Sequence, residues 1–151
     1  MKLPVQVYYW IATVFFIGYL PLAPGTWGSA ASLLTWYFIP EMNVIVFSSI
    51  IIILFMLGLI SAKKVAEHEN NPDPSKVIID EWVGMWIALL IVPKTWQWMA
   101  GSFLLFRFFD ISKFFPMRQI EKLKKGWGIM LDDVVAGIYS LLILLIIRNI
   151  R

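Results

Sequence analysis

Val77-Ile-Ile-Asp-Glu-Trp-Val-Gly-Met-Trp-Ile-Ala-Leu-Leu-Ile-Val92 reads as an apolar helix with two adjacent carboxylates, Asp80 and Glu81, near its start. Twelve uncharged residues separate Glu81 from Lys94. At about 1.5 Å per residue they cover about 18 Å, short of a hydrocarbon core of roughly 30 Å. Counted from Val77 the helix nearly spans, but both acids then sit about one turn inside the apolar zone. Ionisable groups at that depth are costly unless they face a protein interior, a wet cavity, a metal or a counter-ion. Acids near a helix N-terminus also suit the macrodipole, so simple capping is the alternative. One acid would serve for that, and three apolar residues precede this pair. The pair marks a candidate functional site.

The rest of the chain is a membrane protein by composition. It is 60% hydrophobic and 15% charged, where soluble domains run near half and a quarter. No charge occurs between residues 3 and 40 or between 42 and 62. The 151 residues suit one domain, residues 1–151, and the N-terminus reads as a retained segment without a signal-peptide cleavage site. The net charge of +3 is modest and argues for an anionic membrane surface as partner and against nucleic acid. With no cysteine there is no disulfide framework and no thiol chemistry.

Working outward, residues 4–19 form a first apolar helix, stopped by Leu20-Pro-Leu-Ala-Pro-Gly-Thr-Trp-Gly-Ser29. A short second helix over 29–38 reads as re-entrant or tucked, capped by Thr26 or Ser29, and its free N–H groups suit a phosphate or an ordinary turn. Residues 43–62 make the clearest membrane helix and continue into water to residue 69. His68, the only histidine, reads there as a solvated residue. A helix over 95–113 carries Arg107, Asp110 and Lys113 late, spread over about 120° of one face. A basic interfacial helix follows from Met117, with Met117, Ile120 and Leu123 on one face and basic residues reaching lipid headgroups. The last helix, 130–148, opens with Asp132 and Asp133. The expected fold is all-α: a polytopic membrane bundle of about six helices.

Following the helices back and forth puts Thr26, Ser29, Asp80, Glu81, Arg107, Asp110, Lys113, Asp132 and Asp133 at one membrane level. Lys63, Lys64, Lys76, Arg118, Lys122, Lys124 and Lys125 flank that side, against Lys2, Lys94, Arg148 and Arg151 on the other. The asymmetry makes it cytoplasmic. Asp80 precedes Gly84 by four residues and Asp133 precedes Gly137 by four, so each glycine shares a face with its acid. Small residues let membrane helices approach closely, and the two acidic pairs then meet. Four carboxylates stay ionised together in a low dielectric only with a cation. A divalent ion such as Mg²⁺ or Mn²⁺ fits the oxygen ligands, and neutralisation by Arg107 and Lys113 alone is the alternative.

Four motifs in order resemble the phosphatidylglycerophosphatase A family. They are Leu22-Ala-Pro-Gly-Thr-Trp-Gly-Ser29, Ile79-Asp-Glu-Trp-Val-Gly-Met-Trp86, Phe106-Arg-Phe-Phe-Asp-Ile-Ser-Lys113 and Gly128-Ile-Met-Leu-Asp-Asp-Val-Val-Ala-Gly137. The resemblance implies an Mg²⁺-dependent enzyme of the bacterial inner (plasma) membrane that hydrolyses the terminal phosphate of phosphatidylglycerophosphate to give phosphatidylglycerol. Its fold is an all-helical bundle. Where the family carries Lys-Pro-x-Pro, this chain has Lys113-Phe-Phe-Pro116. The residues agree by exclusion. A cysteine phosphatase needs a cysteine, a histidine phosphatase needs a second histidine, and no Asp-x-Asp pair is present. Metal-assisted attack of water on a phosphomonoester remains. Asp80, Glu81, Asp132 and Asp133 are then expected to bind metal or activate water, and Arg107 and Lys113 to grip phosphate oxygens. Asp110 orients Arg107 or joins the metal shell, and Thr26 and Ser29 add donors. The alternative function is an ion-coupled transporter or channel using the same acid–base cluster.

Overall fold

The computed structural model describes residues 3–123 and 126–150. It has seven α-helices and, among the described residues, no strand. They are α1 (Val5–Ala12), α2 (Pro24–Phe38), α3 (Val44–Glu69), α4 (Ile79–Ala88), α5 (Trp96–Ser112), α6 (Met117–Ile120) and α7 (Trp127–Ile150), with a 3-10 turn over Ile17–Tyr19. Lys2, Lys124, Lys125 and Arg151 of the expected charge asymmetry lie outside the described residues.

Among the described residues two helices are long and apolar enough to cross a membrane, α3 with 26 residues and α7 with 24. Asn43 caps α3, its side chain accepting from the Val46 amide at 2.9 Å, and Asn70 ends it in the left-handed conformation. The outer face of α3 is large and apolar, with Ile45 79% exposed and Ile52, Ile53 and Ile60 also open. Such a surface is suited to acyl chains and not to water. Ile138, Leu142, Ile146 and Ile147 do the same on α7.

The acidic helix α4 sits at the centre. Eight of the ten α4 residues are buried, and it packs against α2, α3, α5 and α7. The α4–α7 crossing is as tight as the glycine spacing implies. A Cβ on Gly84 would lie 2.5 Å from the Phe106 ring and 2.6 Å from the Asp133 carbonyl oxygen. A Cβ on Gly137 would run into the Gly84 backbone. Neither position admits a side chain, because the atoms opposite are backbone or the fully buried Phe106 ring. Close backbone approach replaces the hydrophobic drive that lipid cannot supply. The indole N–H of Trp86 donates to the buried Ser32 carbonyl at 3.0 Å, tying α4 to α2.

Several boundaries differ from the sequence reading. The first helix ends at Ala12, not near residue 19. The Ala12 carbonyl accepts from the Ile78 amide at 2.9 Å. Thr13 Oγ1 donates to the Tyr9 carbonyl and accepts from the Phe16 amide. Val14, Phe15 and Phe16 then turn the chain in the left-handed region. The segment leading into α4 thus takes over the end of α1. α4 itself is shorter than 77–92, starting at Ile79 and ending at Ala88. Val77, Ile78, Leu89 and Val92 beyond its ends are apolar because they too are buried, and Pro93 excludes further helix. α2 begins at Pro24 instead of residue 29, with proline in the first turn where its missing N–H costs nothing. α7 starts at Trp127, with the break at Gly126 (φ +84°) alone. The expected basic interfacial helix is a single turn. Met117 is fully buried and Leu123 is half-exposed, so they do not share a lipid-facing stripe.

Candidate active site

The first turn of α4, the first turns of α7 and the last turns of α5 converge on one cavity of about 900 Å³. The convergence follows from the fold. α4 and α7 cross at glycines one turn beyond their acids, so the acids are carried to the same level. Asp80, Glu81, Arg107, Asp110, Lys113, Asp132 and Asp133 all line it.

Asp80 and Glu81 lie in the first turn of α4, yet the helix has no side-chain cap. Simple capping therefore does not account for them. Carboxylate oxygens of Asp80, Glu81 and Asp133 lie within 4.8 Å of one another. Asp80 Oδ1, Glu81 Oε2 and Asp133 Oδ2 are buried without a hydrogen-bond partner. Leaving such groups unpaired is expensive. Three converging carboxylate oxygens with unused lone pairs fit a hard divalent cation such as Mg²⁺.

Asp132 stands apart from this trio. Its Oδ2 is 3.2 Å from Lys113 Nζ, and Lys113 Nζ is 2.6 Å from Glu121 Oε1. Lys113 caps α5 in the left-handed conformation (φ 46°), which turns its side chain back toward α7. Burial works against its charge, but the Glu121 and Asp132 carboxylates outweigh that and hold its pKa above the ordinary value. Lys113 is therefore a cation at any physiological pH. Arg107 Nη1 lies 2.6 Å from Asp110 Oδ2, an ion pair between neighbouring turns of α5. Ser29 Oγ donates to the Gly25 carbonyl at 2.8 Å and accepts from Arg107 Nη1 at 3.5 Å.

Ser29 and Thr26 correct the expectation that they cap α2. Both lie inside the helix, because it starts at Pro24. Ser29 is fully buried behind Arg107, and neither it nor Thr26 lines the cavity. The neighbouring Gly25 does. A Cβ there would collide with Glu81 Oε1 and lie 3.2 Å from Arg107 Nη1, so a bare backbone lets the acid and the guanidinium approach α2. Sequence reasoning also missed Glu121 and Asp73, which face Lys113 across the cavity. Burial raises the Asp73 carboxyl above its ordinary value, and Lys113 pulls the other way. Neither residue sits in a long apolar segment, which was the signal that exposed the other acids. His68 lies outside the cavity, with its Nδ1 3.0 Å from the Tyr9 hydroxyl.

A second, smaller cavity of about 350 Å³ lies near the far ends of α2, α4 and α7 and is lined by Lys94 and Arg148. Lys94 Nζ donates to the Tyr37 and Ile39 carbonyls, and Arg148 Nη1 to the Ile91 carbonyl. These cations satisfy carbonyls at or just past the ends of α2 and α4 and bring no acid cluster with them.

The phosphatidylglycerophosphatase A family model matches residues 10–148. A Haemophilus influenzae protein named phosphatidylglycerophosphatase A is 39% identical, over 91% of this chain and 86% of its own. An Escherichia coli protein of the same name is 34% identical, over 86% of this chain and 77% of its own. A Bacteroides thetaiotaomicron protein named "Putative phosphatidylinositol-3-phosphatase" is 38% identical over 98% of both chains. No solved structure matches the fold. With the matched region covering α4, α5 and the acidic start of α7, where the cavity's acids and cations lie, the chain belongs to the phosphatidylglycerophosphatase A family.

Proposed function

We propose that this protein hydrolyses the terminal phosphomonoester of phosphatidylglycerophosphate to phosphatidylglycerol and inorganic phosphate. The observation that carries the reading is the trio of buried, unpartnered carboxylates beside two fixed cations. In this reading Asp80, Glu81 and Asp133 hold Mg²⁺. The ion, when bound, would offset most of the trio's charge and supply Lewis-acid polarisation of a phosphoryl oxygen. Arg107, braced by Asp110, presents its planar fork to two phosphate oxygens. Lys113, tethered to Asp132, presents a point charge to a third. Water attacks phosphorus, the P–O bond to glycerol breaks, and the leaving glycerol oxygen takes up a proton while a cavity carboxylate accepts one from the water. The transporter reading is not favoured, since the acids gather at one end and mark no path across the bundle.

Phosphate release from purified protein tests this. We expect turnover on diacyl phosphatidylglycerophosphate that vanishes with a chelator and returns with Mg²⁺. Full turnover in excess chelator, after verified metal removal, would exclude the metal. The Bacteroides relative's name makes phosphatidylinositol 3-phosphate the comparison substrate. Faster release from it would reassign the headgroup while keeping the reaction.

The same reading places the protein in the bacterial plasma membrane with the cavity on the cytoplasmic side. Among described residues, Lys63, Lys64, Lys76, Arg118 and Lys122 flank the cavity end, against Lys94 and Arg148 at the other. The chain has no native cysteine, so single cysteines at Asn70 and Glu41 report sidedness cleanly. In spheroplasts an impermeant maleimide should label position 41 at once and position 70 only after permeabilisation. The reverse pattern would invert the topology.

A further inference from the structure

Lys113 is held by two carboxylates, and the two differ in kind. Asp132 is a short side chain on the rigid α7, 9% exposed. The Glu121 side chain is 40% exposed and its contact with Lys113 is the shorter, 2.6 Å. Glu121 follows α6, and its backbone is pinned. Its amide donates to the Met117 carbonyl at 2.9 Å, and a Cβ on Gly128 would lie 2.5 Å from the Glu121 carbonyl oxygen. Only the Glu121 side chain is free to move, and it has the rotatable bonds to do so without disturbing α7.

The cavity's charge makes that freedom consequential. Among the described residues eight carboxylates and four basic side chains line it, so a divalent ion on the trio still leaves a surplus of negative charge among them facing an incoming phosphate. A phosphate cannot approach Lys113 while Glu121 occupies it, since like charges at that spacing repel. We propose that Glu121 is an intramolecular competitor for the phosphate: its carboxylate holds Lys113 until a headgroup phosphate exchanges for it, while Asp132 keeps the ammonium in place. Glu121 thereby sets how tightly the site holds a phosphate group, substrate or product. The inference rests on the reading of Lys113 as a phosphate contact.

The probe is inorganic phosphate, titrated calorimetrically into the full-length, detergent-solubilised protein with Mg²⁺ present, alongside KM for the lipid. Glu121→Gln should bind phosphate about three- to fivefold more tightly, the size of a half-exposed ion pair removed from competition, and KM should fall with it. Glu121→Asp keeps the charge but falls short of Lys113, so it should resemble Glu121→Gln. In a Lys113→Met background, Glu121→Gln should change phosphate affinity no further. Weaker or unchanged phosphate binding in Glu121→Gln overturns the proposal. So does wild-type behaviour of Glu121→Asp, which would make the effect one of general field. No measurable phosphate binding in either protein removes Lys113 as an anion site and overturns it too. Because binding is read apart from turnover, a wild-type protein that binds phosphate but releases none from any lipid defeats the proposed reaction alone.

Discussion

Asp80→Asn should yield a protein that inserts and folds but turns over its lipid at least a hundred- to thousandfold more slowly, the scale of losing one electrostatic partner of a transition state. Asparagine keeps the shape of a side chain that is only 8% exposed, so packing at the α4–α7 crossing is untouched. What changes is charge. Asp80 Oδ1 is buried without a partner, and Glu81 and Asp133 supply ligand oxygens within 4.8 Å. Removing one charge from three weakens cation binding, yet it also relieves repulsion when no cation is present. Thermal unfolding should therefore separate the two effects. With chelator the variant should melt at or above wild type, and added Mg²⁺ should raise its Tm less than it raises that of wild type. Near-normal turnover would remove Asp80 from the chemistry.

Arg107→Lys should be nearly as damaging. The guanidinium is held at Nη1 by Asp110 at 2.6 Å and touches Ser29 Oγ at 3.5 Å, which aims the remaining fork. Lysine keeps one charge and loses planarity and paired donors. A role in the transition state predicts that kcat and kcat/KM both fall by about a hundredfold or more. Simple docking of the headgroup predicts a raised KM with kcat kept, and that outcome would remove Arg107 from the chemical step. Glu41→Gln, at the opposite end of the bundle, serves as control and should match wild type.

Much of this was legible before any coordinates, for a physical reason. Charges are so costly in an apolar helix that those present stand out: Asp80, Glu81, Asp132 and Asp133 were visible because their neighbours are Ile, Val, Trp and Leu. The acid–glycine spacing carried three-dimensional content as well, since it implied the crossing at which Gly84 and Gly137 now meet. Glu121 was different. Among Lys and Gln it looks like an ordinary exposed acid, and only the left-handed turn at Lys113 brings it to the cavity.

By itself the amino-acid sequence determined an all-helical membrane protein and picked out the acids and cations of the candidate site. These follow from hydropathy and from period, which are properties of a segment alone. The tertiary structure decided where helices stop and which charges pair. α1 ends at Ala12 because Ile78, 66 positions on, takes its last carbonyl. The four acids divide into a trio and a lysine-bound Asp132 because α5 ends in a turn that delivers Lys113 to α7. Such outcomes depend on contacts between segments far apart in the chain, and no local pattern encodes them.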